Sequence, residues 1–479
     1  MSASALTTAP ARLLAAQAFS RAAGAPLVDG NAVELLDDAA AHFEAWLAAI
    51  RGARRQVLLE NYSVRDDAVG REFRDALAER ARAGVRVAVI RDWLGCLGQS
   101  RAGFWQPLLA AGGEVRVYNP PHAASPFGWI SRDHRKLLAV DGRFGSVSGV
   151  CLSAKWLGDP ARRVAPWRDT GVTIRGPAVA ELERAFAENW ARLGAPWPTD
   201  AAAPVLAEPA GKVALRVIAT QPNMAGMLRL DQLIAAMARR TLWLTDAYFV
   251  GIAAYVQALA AAARDGVDVR LLVPGSSDVP VVAALSRAGY RPLLEAGVRV
   301  FEWNGSMLHA KTAVADGQWA RVGSTNLNVA SWMGNCEIDV AVEDAGFAAA
   351  LAAQYERDLG NATEVVLSAR RRPCRTAPAP PRAHRASGSS GRAAASAMRF
   401  ANTVGAALTD HRELGAAEAG PLLGAAALLC ALAVVFALWP RVLAWPLTVL
   451  ALWLAIGLAV RSRALRRRAR RESDAQGPC

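Results

Sequence analysis

The sequence predicts an α/β protein built from two similar halves, and three observations carry that expectation. Apolar β-branched runs alternate with helical patterns, the same landmarks recur in the same order in two stretches of the first 369 residues, and a His-x-Lys-x4-Asp pattern stands once in each stretch.

The first stretch opens on the apolar run Val57-Leu-Leu-Glu-Asn-Tyr62, which closes on an acid, an amide and an aromatic. A helical pattern follows and ends at Ala83-Gly-Val-Arg-Val87; then come Gly113-Glu-Val-Arg-Val117 and His134. The second stretch repeats the plan with Leu242-Trp-Leu-Thr-Asp-Ala-Tyr248, Asp265-Gly-Val-Asp-Val269, Gly297-Val-Arg-Val300 and His309. Each Gly-Val-Arg-Val piece reads as a glycine that ends a helix followed by a strand, because β-branched residues alternate there with charge. Strand, helix and strand in repetition is an α/β signature.

The halves are placed at residues 1–198 and 212–369, joined by an Ala- and Pro-rich segment at 199–211. From 370 to 419 the composition turns to Arg, Pro, Ala, Ser and Gly, which buries too little apolar surface to fold and is read as a disordered linker. Two uncharged apolar stretches follow at 421–439 and 442–460, parted by Pro440 and Arg441. As helices each would span roughly 28 Å against a hydrocarbon core of ~30 Å, so the region 420–460 is expected to be a transmembrane helical hairpin. Arginines flank it on both outer sides, and the basic tail 461–479 is expected in the cytoplasm with the linker. Residues 1–30 hold no charged-then-apolar run that reads as a secretory signal, so the catalytic part is expected to stay on the cytoplasmic face of the inner membrane.

A net charge of +13 suggests a nucleic-acid partner until it is located. Residues 370–479 carry 17 Arg against 5 acids, which leaves 38 basic and 37 acidic residues in the first 369. The charge therefore flanks the apolar stretches, where it suits an anionic membrane surface, and the expected partners are membrane and lipid rather than nucleic acid. Six scattered cysteines (Cys96, Cys151, Cys336, Cys374, Cys430, Cys479) show neither zinc-site nor disulfide spacing.

The chemistry is concentrated in His134, Lys136 and Asp141 and in their counterparts His309, Lys311 and Asp316. Residues i and i+2 of a strand share a face, so an imidazole and an ammonium can point at one ligand. That pairing suits a phosphate: the ammonium neutralises phosphoryl oxygens while the ring attacks phosphorus. The Asp is expected either to anchor the turn after the strand or to orient an imidazole across the interface. Only four of the 55 basic residues are lysines (Lys136, Lys155, Lys212, Lys311), and two of those four belong to the motif. A compact ammonium and a planar guanidinium are not interchangeable at a tight phosphate site, which accounts for lysine there. Of the six histidines, His42, His122, His384 and His411 have no motif partners and are read as packed or solvated. Phe127-Gly-Trp129-Ile130, just before the first motif, is read as core, with an entry for acyl chains as the other reading.

The doubled motif, the repeat, and the local runs Glu60-Asn-Tyr62, Asp92-Trp-Leu-Gly95, Arg132-Asp-His-Arg-Lys136, Trp167-Arg-Asp-Thr170, Gly323-Ser-Thr-Asn326 and Asn335-Cys-Glu337 resemble the phospholipase D superfamily. Within it they resemble the bacterial cardiolipin synthases, in a short form without N-terminal transmembrane helices. The resemblance spans residues 27–359 and implies two pseudo-symmetric αβ sandwich halves packed face to face around one site. It implies that His134 attacks the phosphodiester to form a phosphohistidine and that His309 is the acid and base. It further implies that Ser324 and Asn326 bind the substrate phosphate and that no metal or cofactor is needed. Asp169 and Glu337 are candidates to orient the histidines. One departure stands out: where the family's first motif has an Asn after the turn, this chain has Cys151.

The expected reaction is phosphatidyl transfer between two phosphatidylglycerol molecules, giving cardiolipin and glycerol; whether phosphatidylethanolamine serves is left open. The alternative is a phospholipase D that hydrolyses phospholipids to phosphatidic acid. A nuclease of the superfamily and a non-catalytic membrane organiser are weaker readings, the first because the folded part is nearly neutral, the second because both motifs are intact.

Overall fold

A computed structural model describes residues 17–99, 102–121, 130–198, 208–367 and 373–375, together with scattered positions between 427 and 456. The chain divides into two units, one of Met1–Tyr118 with Ser131–Ser387 and the other of Asn119–Ile130 with Gly388–Cys479.

In the first unit, one half runs β1 (Val28–Leu36), α1 (Ala39–Arg51), β2 (Gln56–Asn61), α2 (Ala68–Arg82), β3 (Arg86–Asp92), α3 (Gln106–Ala110), β4 (Glu114–Tyr118), β5 (Lys136–Val140), β6 (Phe144–Ser148), β7 (Gly171–Arg175) and α4 (Val179–Arg192). The other runs β8 (Val213–Thr220), α5 (Gly226–Met237), β9 (Thr241–Thr245), α6 (Ala253–Arg264), β10 (Asp268–Pro274), α7 (Pro280–Glu295), β11 (Arg299–Trp303), β12 (Thr312–Ala315), β13 (Trp319–Gly323), β14 (Glu337–Glu343) and α8 (Ala345–Leu359), followed by β15 (Ala362–Leu367) and β16 (Pro373–Arg375).

Strand order makes the repeat explicit: β1-β7-β6-β5-β2-β3-β4 in one half is matched by β8-β14-β13-β12-β9-β10-β11 in the other. As strands, the two sets are joined where β1 pairs with β8, around a bulge between Val28 and Asn31. Within each half the parallel trio (β2, β3, β4 or β9, β10, β11) is joined antiparallel to a hairpin (β5–β6 or β12–β13). The glycines that start the repeated pieces do end helices: Gly84, Gly266 and Gly297 have φ of 84°, 91° and 95°. In the remaining piece Gly112, one residue earlier than the sequence pattern indicated, takes that role with φ 89°.

The sheets also meet face to face, with β6 against β13 and β14, and β13 against β7. Between them lies a shared core in which Leu137, Val147, Val172, Leu182 and Phe186 of one half join Val314, Val322, Ile338, Val340 and Leu351 of the other. This layer, carrying α4 and α8, holds the halves in one arrangement. Separate apolar cores fill the outer faces, one around Phe43, Trp46, Phe73 and Leu108, the other around Leu230, Tyr255, Leu259 and Leu293.

In the second unit the described positions between 427 and 456 are mostly helical. Among the described residues no helix is long and apolar enough to cross a membrane. The linker 370–419 and most of the expected hairpin lie outside the described residues, as do Phe127, Gly128 and Trp129; Ile130 is exposed.

Candidate active site

Both motifs lie in extended segments that run into the first strand of a hairpin, β5 or β12. Each segment is pinned by a short parallel pairing with the other half, Asp133 beside Cys336 and Arg168 beside Leu308. The His134 N–H donates to the Cys336 carbonyl at 2.9 Å, and the His309 N–H to the Arg168 carbonyl at 2.7 Å. Neither histidine backbone is therefore positioned by its own half alone.

The side chains are crossed in the same way. Oε2 of Glu337 accepts from Nδ1 of His134 at 2.9 Å, and Oδ2 of Asp169 accepts from Nδ1 of His309 at 2.8 Å. Both acids are fully buried. With a carboxylate as partner, Nδ1 must be the donor, which leaves each Nε2 with its lone pair.

Lys136 Nζ donates to the His134 carbonyl at 2.5 Å. Lys311 Nζ lies 3.0 Å from Nδ1 and 3.1 Å from Nε2 of His309, so it sits over the ring rather than along a lone pair. The cluster is electrostatically one: Lys311 acts on His134, and Lys136 acts on His309. Burial pushes both imidazoles down, His309 to about 4 because Lys311 adds to it while Asp169 opposes. Burial likewise pushes Lys311 down to about 8, against the pull of Asp169. The acids go the other way: burial pushes Glu337 up, but His134, Lys136 and the Ser324 hydroxyl outweigh it, and His309 and Lys311 hold Asp169 well below the usual carboxylate range. At neutral pH Glu337 and Asp169 are thus carboxylates and both imidazoles are neutral, each with its Nδ1–H donating to a carboxylate and its lone pair on Nε2.

Aromatic rings line the histidines. Tyr62 meets His134 edge-on at 5.0 Å between centroids, while Tyr248, Trp156 and Trp167 lie 5.7, 5.5 and 5.7 Å from His309.

The remaining candidates are placed differently from one another. Asp141 and Asp316 are not brought into this cluster. Each occupies a left-handed position at the hairpin turn, with φ 57° and 53°, and is followed by a glycine that is also left-handed. The Asp141 carboxylate accepts from the backbone amides of Arg54, Arg55 and Gln56, each at 2.8 Å. Asp316 does the same for Arg239, Arg240 and Thr241 at 2.9, 2.7 and 2.9 Å. Of the two roles the sequence left open, the geometry is that of a turn anchor, so the two aspartates are structural and do not belong with the reacting His-Lys pairs.

Ser324 donates to Oε2 of Glu337 at 2.6 Å and accepts from the Ile338 amide at 2.9 Å, so its proton is directed to the orienting acid and not to a ligand. Asn326 is buried, reaches Ser331 Oγ at 3.4 Å, and leaves its Oδ1 without a hydrogen-bond partner among the described residues. At the corresponding place in the first half, burial pushes the Cys151 thiol up, with Lys136 opposing. His42 is packed, its Nδ1 against the Asp38 carbonyl; His122, His384 and His411 lie outside the described residues. Among the described residues no group of three His, Cys, Asp or Glu is arranged to hold a metal.

A family model described as "Cardiolipin synthase, PLD-like domain" matches residues 231–359. Cardiolipin synthase A of Pseudomonas aeruginosa (strain LESB58) is 34% identical over 363 residues, covering 74% of this chain and 72% of the relative. This chain belongs to the cardiolipin synthase family. Cardiolipin synthase of Geobacillus kaustophilus (strain HTA426) is 35% identical over 306 residues, 62% of this chain and 60% of that one. A solved phosphatidylserine synthase from Haemophilus influenzae Rd KW20 shares the fold, with a TM-score of 0.54 at 14% identity over 73% of this chain and 91% of that chain. As a member of the cardiolipin synthase family the chain is a phosphatidyltransferase.

The sequence reading missed the frame behind the site in this cardiolipin synthase relative. Fully buried Arg135 donates to the carbonyls of Glu337, Ala185 and Thr220 at 3.2, 3.0 and 2.9 Å, so it holds the backbone of the acid that orients His134. Its counterpart in the second half is Ala310, so the repeat carried no signal for it. Arg168, likewise, is clamped to Asp358 of α8 at 2.8 Å while its carbonyl holds His309.

Proposed function

We propose that the chain transfers a phosphatidyl group from one phosphatidylglycerol to another, releasing glycerol and forming cardiolipin. Binding of the anionic phosphodiester draws a proton onto Nε2 of His309; Nε2 of His134 then attacks the donor phosphorus as the bond to the glycerol oxygen breaks, and His309 delivers that proton to the departing oxygen. The acceptor hydroxyl then attacks the phosphohistidine, gives its proton to His309, and the phosphorus–nitrogen bond breaks to restore His134. Lys136 and Lys311 neutralise the phosphoryl oxygens throughout, and Asn326, whose Nδ2 makes one long contact to Ser331 Oγ, is the amide assigned to donate to them. The observation that carries this reading is the crossed pairing of each imidazole Nδ1 with a buried carboxylate of the other half, which leaves the two Nε2 atoms for the reaction, one to attack phosphorus and one to carry the proton.

The reading also places the protein at the cytoplasmic face of the inner membrane, with phospholipid substrates and a hairpin at 420–460. Two uncharged apolar stretches support the hairpin, and among the described positions there Val434, Leu438, Trp439, Trp445, Val449, Leu452 and Ile456 are exposed.

The test is lipid mass spectrometry of a host lacking its own cardiolipin, with and without this chain. Cardiolipin that appears with the chain and is lost in His134→Asn supports transfer. Phosphatidic acid alone would establish the hydrolytic reading, and unchanged lipids would reject both. An alkaline quench should trap phosphate on His134, absent in His134→Asn and retained in a slow His309→Asn variant.

A further inference from the structure

A charged bridge spans the two halves beside His309. Lys155, in the first-half turn Ala154–Leu157, places Nζ 3.3 Å from Oδ2 of Asp278, which lies in the second-half loop between β10 and α7. The same ammonium lies 3.9 Å from the centroid of the Trp167 ring, and Oδ1 of Asp278 accepts from the Tyr248 hydroxyl at 2.7 Å. Trp167 and Tyr248 are two of the rings that pack on His309, so Lys155, Asp278 and the two rings close a circuit around the imidazole. About a third of each charged side chain remains open, 35% for Lys155 and 32% for Asp278. Leu157 and Val279, next to the pair on either half, are exposed. The arrangement is one-sided: at the matching distance from the second motif Asp stands Ala330.

From this geometry we infer that Lys155 and Asp278 form the acceptor-lipid subsite, in which Lys155 binds the phosphate of the incoming phosphatidylglycerol and Asp278 accepts from its headgroup hydroxyls. The inference rests on the reading of His309 as acid and base. The reacting hydroxyl must reach Nε2 of His309, and in phosphatidylglycerol that hydroxyl and the lipid's own phosphate sit on one three-carbon headgroup. One aromatic ring separates Lys155 from His309, which suits that short bridge. A partly open ammonium can exchange a carboxylate partner for a phosphate, while Asp278 stays held by Tyr248. Leu157 and Val279 offer apolar surface to the acceptor's acyl chains. Water and free glycerol carry no phosphate and gain nothing from Lys155, so the pair selects an anionic lipid as acceptor.

The test compares two acceptors of one phosphoenzyme, using the full chain in membranes with phosphatidylglycerol. Cardiolipin formation reads the anionic acceptor, and incorporation of labelled free glycerol into phosphatidylglycerol reads the neutral one. For Lys155→Gln the expected result is a fall of about tenfold or more in the ratio of cardiolipin formed to glycerol exchanged, with partial recovery in Lys155→Arg, as expected for a single charge-assisted contact. A ratio unchanged within twofold, or the same fall in both reactions, overturns the subsite while leaving the transfer reading in place. If the unaltered chain neither exchanges glycerol nor forms cardiolipin, the transfer reading fails and the subsite falls with it.

Discussion

Replacing Glu337 by Gln isolates the contribution of one orienting carboxylate. When Nε2 of His134 bonds to phosphorus the ring becomes cationic, and the carboxylate 2.9 Å from Nδ1 offsets that charge. Unit charges about 4 Å apart at an effective dielectric near 20 attract by about 4 kcal/mol. The amide oxygen of Gln still accepts from Nδ1 and retains about 1 kcal/mol of that. The net loss of about 3 kcal/mol slows phosphoenzyme formation roughly a hundredfold. The assay is an alkaline rapid quench with a donor whose leaving group is a nitrophenol, which departs without a general acid. With that donor Glu337→Gln should form phosphoenzyme about a hundredfold slowly, whereas Asp169→Asn, which disturbs His309, should stay within about threefold of the unaltered chain. Equal slowing in the two variants, or less than threefold in Glu337→Gln, would refute the crossed assignment of acids to histidines.

Asp316→Asn weakens three backbone hydrogen bonds at a turn and leaves the reacting cluster alone; stability by urea titration should drop by about 1–3 kcal/mol, with kcat per folded molecule changed less than threefold. Since Lys311 is pushed down to about 8, activity should fall as pH rises through that value, and the limb should vanish from the pH profile of Lys311→Arg while its kcat is lower throughout. His309 is held at about 4 in the folded chain against an ordinary 6.5, so the unfolded chain takes up the proton first as pH falls. Its contribution is therefore complete above about pH 6.5 and is lost on acidification towards pH 4, a span of about 3 kcal/mol that His309→Gln should remove from the urea midpoint measured against pH. Binding of a phosphodiester brings a negative charge to two neutral imidazoles and should draw in a proton; calorimetric titration with a non-reactive lipid analogue in buffers of different ionisation enthalpy reads that uptake.

The chain of residues by itself determined the α/β class, the two-fold plan and the His-Lys pairs, because these rest on short-range physics. Side-chain alternation along a strand, a glycine with left-handed backbone at a helix end and the scarcity of lysine are all visible within a few residues. Lysine counting singled out only the two in the motifs; Lys155 was one of the two left over, and nothing nearby said what it meets. What only tertiary structure decided is which acid serves which histidine. Asp141 and Asp316 are near their histidines in sequence, yet each is spent on a turn, whereas the acids that reach the imidazoles stand 203 and 140 residues away, on the opposite half. That choice depends on two sheets closing over a shared apolar layer and forming a parallel bridge at each motif, and no local pattern encodes the register of one half upon the other.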